Sequence, residues 1–248
     1  MFTPENMMTF TLFSSSHFGA LAVFFVLFFI LFLNKERLRR EGRFEKITGH
    51  MLVVVLLVSE VSYQVWSISY GVWDARSYIP LHLCSFSTFL GIFLFWKRSE
   101  WIFYFYLYIG FFPPILALVT PDLLFEFPHY RYFKFFLHHM AIPLMVVYLF
   151  YSRRYTLQLR SVLYGIITLN VMAVPIFFIN QWLGSNYFFL SGPPEANTAL
   201  SLFGEGLQYY LNLELAAIAI FTLTYFFFRY ADITTNRRRK KARLDTDS

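Results

Sequence analysis

The stretch Ser16–Leu33, SHFGALAVFFVLFFILFL, and the run that follows it, Asn34–Lys46, NKERLRREGRFEK, decide the fold class. The first is an uncharged apolar run. At about 1.5 Å of rise per residue it is long enough to cross most of a bilayer's hydrocarbon core as a helix. The second carries Lys35, Arg37, Arg39, Arg40, Arg43 and Lys46. A cleavable signal peptide has its basic residues before the apolar run. Here they come after it, and Glu5 is the one charge in the first six residues. The segment therefore reads as a retained span whose N-terminus lies outside.

Composition extends this reading to the whole chain. Of 248 residues, 57% are hydrophobic, 22% aromatic and only 15% charged. A soluble fold typically has about 25% charged residues. So few charges cannot cover so much apolar surface in water, which excludes soluble, disordered and disulfide-stapled classes. Six further apolar segments follow: Ile47–Ser67, Pro80–Trp96, Trp101–Val119, Phe133–Tyr151, Ser161–Asn180 and Leu207–Phe228. The expected fold is all-α, a polytopic membrane protein of seven transmembrane helices with the C-terminus cytoplasmic. Its parts are an extracytoplasmic strip (1–15), the helical domain (16–230) and a basic cytoplasmic tail (231–248).

The charges agree with that topology. Residues 35–46, Lys97, Arg98, Arg153, Arg154, Arg160 and the basic residues from Arg229 to Arg243 all fall on the cytoplasmic side. Together they are eighteen of the 21 lysines and arginines. The exceptions are Arg76, Arg131 and Lys134. The positive-inside rule demands this asymmetry. Trp66, Trp73, Trp96, Trp101 and Trp182 lie at or just beyond the segment ends, as interfacial anchors do. The run Arg237–Arg243 has no interleaved stacking aromatics, so it reads as a partner of anionic headgroups and not of nucleic acid.

Polar groups inside the apolar segments are costly, at about 2.5–3.5 kcal/mol for a charge at a helix centre, and face the bundle interior. Here they are Glu60, Gln64, His82, Cys84, Ser85, Ser87, Thr88, His138, His139, Asn170, Asn212 and Glu214. The alternating topology puts Glu60, Gln64, His82, Cys84, His138 and Glu214 in the outer half of the bilayer, as one polar cavity would require. Ser85, Ser87 and Thr88 read as helix-packing residues and Asn170 as an interhelical clamp. Glu60 either pairs with a histidine structurally or orients it for chemistry. Cys84, the single cysteine, needs a base to act as a nucleophile. On a regular helix His82 lies about 200° away from it, so His138 at the same depth is the better base. No tight ligand spacing supports a metal, and no cofactor is expected.

The head of the third segment, Ile79-Pro-Leu-His-Leu-Cys-Ser-Phe, resembles the PLHLC signature of the YwaF family, which is similar to the eukaryotic transmembrane protein 164 family. Phe136-Leu-His-His-Met resembles that family's histidine-bearing helix. Gly184-Ser-Asn-Tyr-Phe-Phe-Leu resembles its G-x-N-Y-x-x-L loop, with Asn186 and Tyr187 matching. The resemblance covers roughly residues 15–230. It implies a cysteine-dependent acyltransferase acting on phospholipid or lysophospholipid in the membrane, with Cys84 as acyl acceptor and His138 as base. Asn186 and Gln64 are then candidate oxyanion or headgroup donors, and Glu60 or Glu214 candidate orienters of a histidine. The location implied is a bacterial cytoplasmic membrane, with the cavity toward the extracytoplasmic side. The alternative is a small-molecule or ion transporter using the same cavity, for which the glutamates and histidines matter and Cys84 does not.

Overall fold

The computed structural model describes residues 2–4, 9–194, 196 and 198–246, with side chains to residue 234. The expected basic tail residues from Arg237 to Arg243 therefore lie outside the described side chains. The described residues form helices and no strand: α1 (Ser15–Leu33), α2 (Lys35–Leu38), α3 (Arg43–Ser69), α4 (Leu83–Trp96), α5 (Glu100–Gly110), α6 (Phe112–Val119), α7 (Tyr130–Ser152), α8 (Arg160–Leu183) and α9 (Gly206–Thr246). Six helical stretches are long and apolar enough to cross a membrane: α1, α3, α5 with α6, α7, α8 and the first part of α9.

The third apolar segment departs from expectation. Its helix starts at Leu83, not Pro80, and has 14 residues. At about 1.5 Å per residue it spans about 21 Å, short of a hydrocarbon core of about 30 Å. The cause is local. Ile79 precedes a proline, which disfavours helical backbone there, and His82 is the extended N-cap (φ −63°, ψ 148°). The fourth segment, expected as one helix, breaks at Phe111 (φ −100°, ψ −80°). Pro113 and Pro114 follow, and proline is tolerated in a first turn but not in a helix interior.

α5 and α7 form the hub. Every residue from Phe103 to Gly110 is buried, as is nearly all of α7 beyond Met140. The outer helices α1, α3, α8 and α9 instead present rows of exposed Leu, Ile, Val and Phe, such as Phe29, Val54, Val171 and Leu223. Tyrosines satisfy the interior. Tyr106 donates to the Ile142 carbonyl at 3.1 Å, beside the helix-interior Pro143, and Tyr108 bonds Ser161 Oγ at 2.6 Å. Gly49 and Gly165 let helices approach closely: a Cβ at Gly49 would collide with the Tyr148 hydroxyl, and one at Gly165 would lie 2.5 Å from Tyr108.

The basic loops gather at one end of the bundle. Arg39 pairs with Asp232 at 3.5 Å, Arg154 donates to the Arg39 carbonyl at 2.8 Å, and Arg153 donates to the Phe95 carbonyl. Trp96, Trp101 and Trp182 are exposed, as membrane anchors are, and Trp73 is 44% exposed. Trp66 is not: it is 6% exposed, and its indole N–H donates to the Phe2 carbonyl at 2.7 Å.

Candidate functional site

At the end opposite the basic loops, the last turns of α3 meet the first turns of α4 and α7. Glu60 of α3 is 5% exposed and His138 of α7 is 1% exposed. Glu60 Oε2 lies 3.8 Å from His138 Nδ1 and accepts from Ser85 Oγ at 3.3 Å. His138 Nε2 bonds Thr88 Oγ1 at 3.1 Å. Ser85 and Thr88, expected only to pack helices, instead hold the two ionisable residues. Ser87 alone behaves as expected, donating to the Leu83 carbonyl at 2.9 Å.

Cys84 is half-buried in the first turn of α4 and carries a free thiol. Thr88 is four residues on, so it stands one turn along the same helix face. The His138 ring also faces the main-chain carbonyl of Cys84. The unwound Ile79–His82 segment shifts the helix start so that Cys84 becomes its second residue, where free amides and the helix dipole favour an anionic sulfur. His82, as N-cap, lies outside the helix, so the angular relation to Cys84 drawn from a regular helix does not apply. Its ring packs edge-on to Tyr187 at 4.8 Å.

Two buried polar atoms here have no hydrogen-bond partner: Glu60 Oε1 and His138 Nδ1. Leaving both unpaired is costly unless a ligand or a step in chemistry uses them. In the tautomer that carries its proton on Nε2 and donates it to Thr88, Nδ1 has no partner and is the ring atom open to a proton.

Lys134 lies one turn toward the bundle end from His138. Its ammonium acts electrostatically on Glu60, Cys84, His82, His138 and His139. Sequence reading counted Lys134 only as an exception to the charge asymmetry. The overlooked signal was its i, i+4 spacing to His138, which puts both on one helix face. His139 points elsewhere, bonding the Phe135 carbonyl at 2.8 Å.

A cavity of about 160 Å³ opens beside this cluster, lined by Leu57, Glu60, Val61, Gln64, Pro80, Thr88, Phe89 and Ile92. Leu57, Val61 and Phe89 are exposed on its rim. It is thus a lateral cleft between α3 and α4 whose accessible lining is apolar, with Glu60, Gln64 and Thr88 among the residues that border it.

The remaining sequence candidates sit in loops or elsewhere. Gln64 lines the cleft, but its amide donates to the Tyr78 carbonyl at 2.8 Å and accepts from Trp73 at 3.0 Å. Asn186 bonds Gly192 and Ser191 within its own loop, each at 2.9 Å. Tyr187 is fully buried. Its hydroxyl donates to the Ala75 carbonyl at 2.6 Å and accepts from Ile79 N at 3.1 Å, bracing the unwound lead-in to α4. Asn180, not singled out from sequence, holds Tyr187 in turn. It accepts from Tyr187 N at 2.9 Å and from Ser185 Oγ at 2.8 Å, and donates to the Tyr187 carbonyl at 2.9 Å. These bonds hold a loop in which Phe188 and Phe189 adopt φ of 59° and 56°, a left-handed region costly for phenylalanine. Glu214 is bonded by Asn170 at 3.0 Å and so clamps α8 to α9. The cluster at Cys84 is built by α3, α4 and α7.

A family model, that of the TMEM164 family, matches residues 12–225. An uncharacterized protein of Treponema pallidum (strain Nichols) is 31% identical over 124 residues, which is 49% of this chain and 52% of that protein. The chain therefore aligns with about half the length of that curated relative. No solved structure matches.

Proposed function

The chain belongs to the TMEM164 family, and from that premise we propose that it is an integral-membrane acyltransferase that carries an acyl group on Cys84. The observation that carries the reading is a histidine whose Nδ1 is buried, unpartnered and 3.8 Å from a buried carboxylate, with its ring at the backbone of the helix-start Cys84. A nucleophile, a base and an orienting group are the parts that thioester chemistry needs.

In this reading the short α4 joins the six longer helices as a seventh span. Its unwound lead-in is braced by Tyr187, since non-helical backbone at membrane depth must be buried in protein or line a cavity. The positive-inside rule then sets the basic end in the cytoplasm of a bacterial cell and the cleft toward the extracytoplasmic side.

The reaction runs in two steps. His138 Nδ1 takes the Cys84 thiol proton, and Glu60 stabilises the imidazolium that forms. The thiolate attacks the ester carbonyl of a phospholipid acyl chain lying in the α3–α4 cleft. A thioester forms, and the lysophospholipid alkoxide leaves with the proton returned by His138. In the second step a lysophospholipid hydroxyl gives its proton to His138 and attacks the thioester, which regenerates the thiol. Burial opposes the anionic sulfur, and the Lys134 ammonium and the amides at the α4 start offset part of that penalty. The apolar mouth admits the chain from the bilayer and keeps water scarce, so transfer is favoured over hydrolysis.

The test is acyl exchange in proteoliposomes between a labelled phospholipid and an unlabelled lysophospholipid. Exchange is expected with the wild type and lost in Cys84→Ala and His138→Ala. Exchange that persists in Cys84→Ala overturns the reading. A transporter using the same cleft would tolerate Cys84→Ala and move solute without altering acyl composition.

A further inference from the structure

Two of the three basic residues that break the charge asymmetry, Arg131 and Lys134, flank this site. Arg131 Cζ and Lys134 Nζ each lie 4.2 Å from the centroid of the Tyr63 ring. Arg131 also sits 5.7 Å from the Trp66 ring and 6.0 Å from the Phe125 ring. Both side chains are half-buried. Among the described residues, neither has a carboxylate within ion-pair distance.

Two neighbouring cations that repel each other, Arg131 packed on three aromatic rings and Lys134 on one of them, are an arrangement that an anion completes. Glu60 does not supply it. That carboxylate is shared between Ser85 and His138 and is a single charge against two. Arg131 stands in the first turn of α7, beside Trp66 near the end of α3, which the proposed topology sets at the extracytoplasmic end of the bundle. Lys134 is one turn deeper, and His138 about 6 Å deeper again along the axis. A glycerophospholipid has the same order: phosphate at the surface, then glycerol, then the ester.

We propose that Arg131 and Lys134 form a subsite for the phosphate of a glycerophospholipid, which sets the ester at the level of Cys84 and makes the protein select phosphate-bearing lipids over neutral glycerides. Arg offers a planar fork to two phosphate oxygens and Lys a single strong donor beneath it. The proposal takes from the acyl-transfer reading only the depth at which the ester lies.

The experiment measures equilibrium binding to the full-length Cys84→Ala protein in nanodiscs, which removes any covalent step. The probes are lysophosphatidylethanolamine, a monoacylglycerol of the same chain, and inorganic phosphate. Lysophosphatidylethanolamine should bind at least about tenfold tighter than the monoacylglycerol. Arg131→Gln with Lys134→Gln should erase that difference by weakening lysophosphatidylethanolamine binding. Arg131→Lys should keep most of it, and millimolar inorganic phosphate should not displace the lysolipid. Equal binding of the two lipids, or discrimination that survives the double substitution, overturns the proposal. Displacement by inorganic phosphate overturns the lipid assignment in favour of a free-anion site. Thermal midpoints report whether each variant folds. If the double variant does not, Arg131→Gln alone should reduce the discrimination, and discrimination unchanged in that variant overturns the proposal. Failure of wild-type protein to form a thioester would remove the acyl-transfer reading and leave this binding result standing.

Discussion

Glu60→Gln isolates the charge of the buried carboxylate while keeping its size and its capacity to accept from Ser85. In the proposed mechanism Glu60 faces a neutral ring before the proton transfer. When the Cys84 proton arrives at Nδ1, that ring becomes an imidazolium 3.8 Å from Glu60 Oε2. At that distance and an effective dielectric near 20, opposite unit charges attract by about 4 kcal/mol. The Lys134 ammonium, which also acts on Glu60, removes part of this. The expected loss is therefore about 100- to 1,000-fold in the rate of thioester formation. It should fall on the maximal rate and not on the half-saturating lipid concentration, because the carboxylate contributes when charge develops and not when lipid binds. The assay is rapid mixing of detergent-solubilised protein with a phospholipid donor, acid quench and intact-protein mass. Glu60→Asp should recover part of the rate. A Glu60→Gln protein that melts normally and acylates close to the wild-type rate would refute the role given to the carboxylate.

Three further outcomes follow from local geometry. Asn180→Ala strips the hydrogen bonds holding Ser185 and Tyr187, at a cost of about 1–3 kcal/mol for buried polar groups left unpaired; amide exchange at Ile79 and Tyr187 should rise together, and unchanged exchange at Ile79 would break the proposed link between loop and lead-in. Gly49→Val drives carbon into the Tyr148 hydroxyl and the Phe95 ring, and should lower stability by about 1–3 kcal/mol, read as a reduced thermal midpoint with Tyr148→Phe as control. Glu126, in the loop before α7, is opposed in its ionisation by partial burial, but bonds from Ser16 Oγ, Phe127 N, Thr11 N and Ser14 Oγ outweigh this and hold its carboxyl below the usual 4.5. Its folded value being depressed, its stabilisation is full above about pH 4.5 and is lost as pH falls through the lower folded value. Exchange at Thr11 and Phe127 should therefore rise on acidification, and at neutral pH in Glu126→Gln; protection that persists in Glu126→Gln contradicts this.

The apolar segments were legible because the bilayer leaves a compositional mark about twenty residues long. Their internal breaks were not read from it. Pro113 and Pro114 sit inside an unbroken apolar run, and average hydropathy does not register the missing N–H that ends α5 at Gly110. Pro80 was read as a helix start, whereas Pro80 and Leu81 form a turn that leads into the extended His82, and this places Cys84 in the first turn and not the second. The pairing of Glu60 with His138 was legible only as equal depth, which alternation of the helices supplies. The failure with Glu214 has the same root: depth was equal, but α9 packs on α8 and α5, and azimuth around the bundle leaves no mark in one sequence. Lys134 was read through its sign alone. Its aromatic shelf, Tyr63, comes from a different helix 71 positions earlier in the chain, so the pairing emerges only once α3 and α7 pack together.

The most direct measurement is the intact mass of the purified protein after incubation with a phospholipid of defined acyl chains. The wild type should gain the mass of one acyl group on Cys84, removable by neutral hydroxylamine and transferable to added lysophospholipid, and Cys84→Ala should gain none. A wild-type protein that exchanges acyl chains without ever carrying one, or an acyl mass that maps elsewhere than Cys84, would contradict the account.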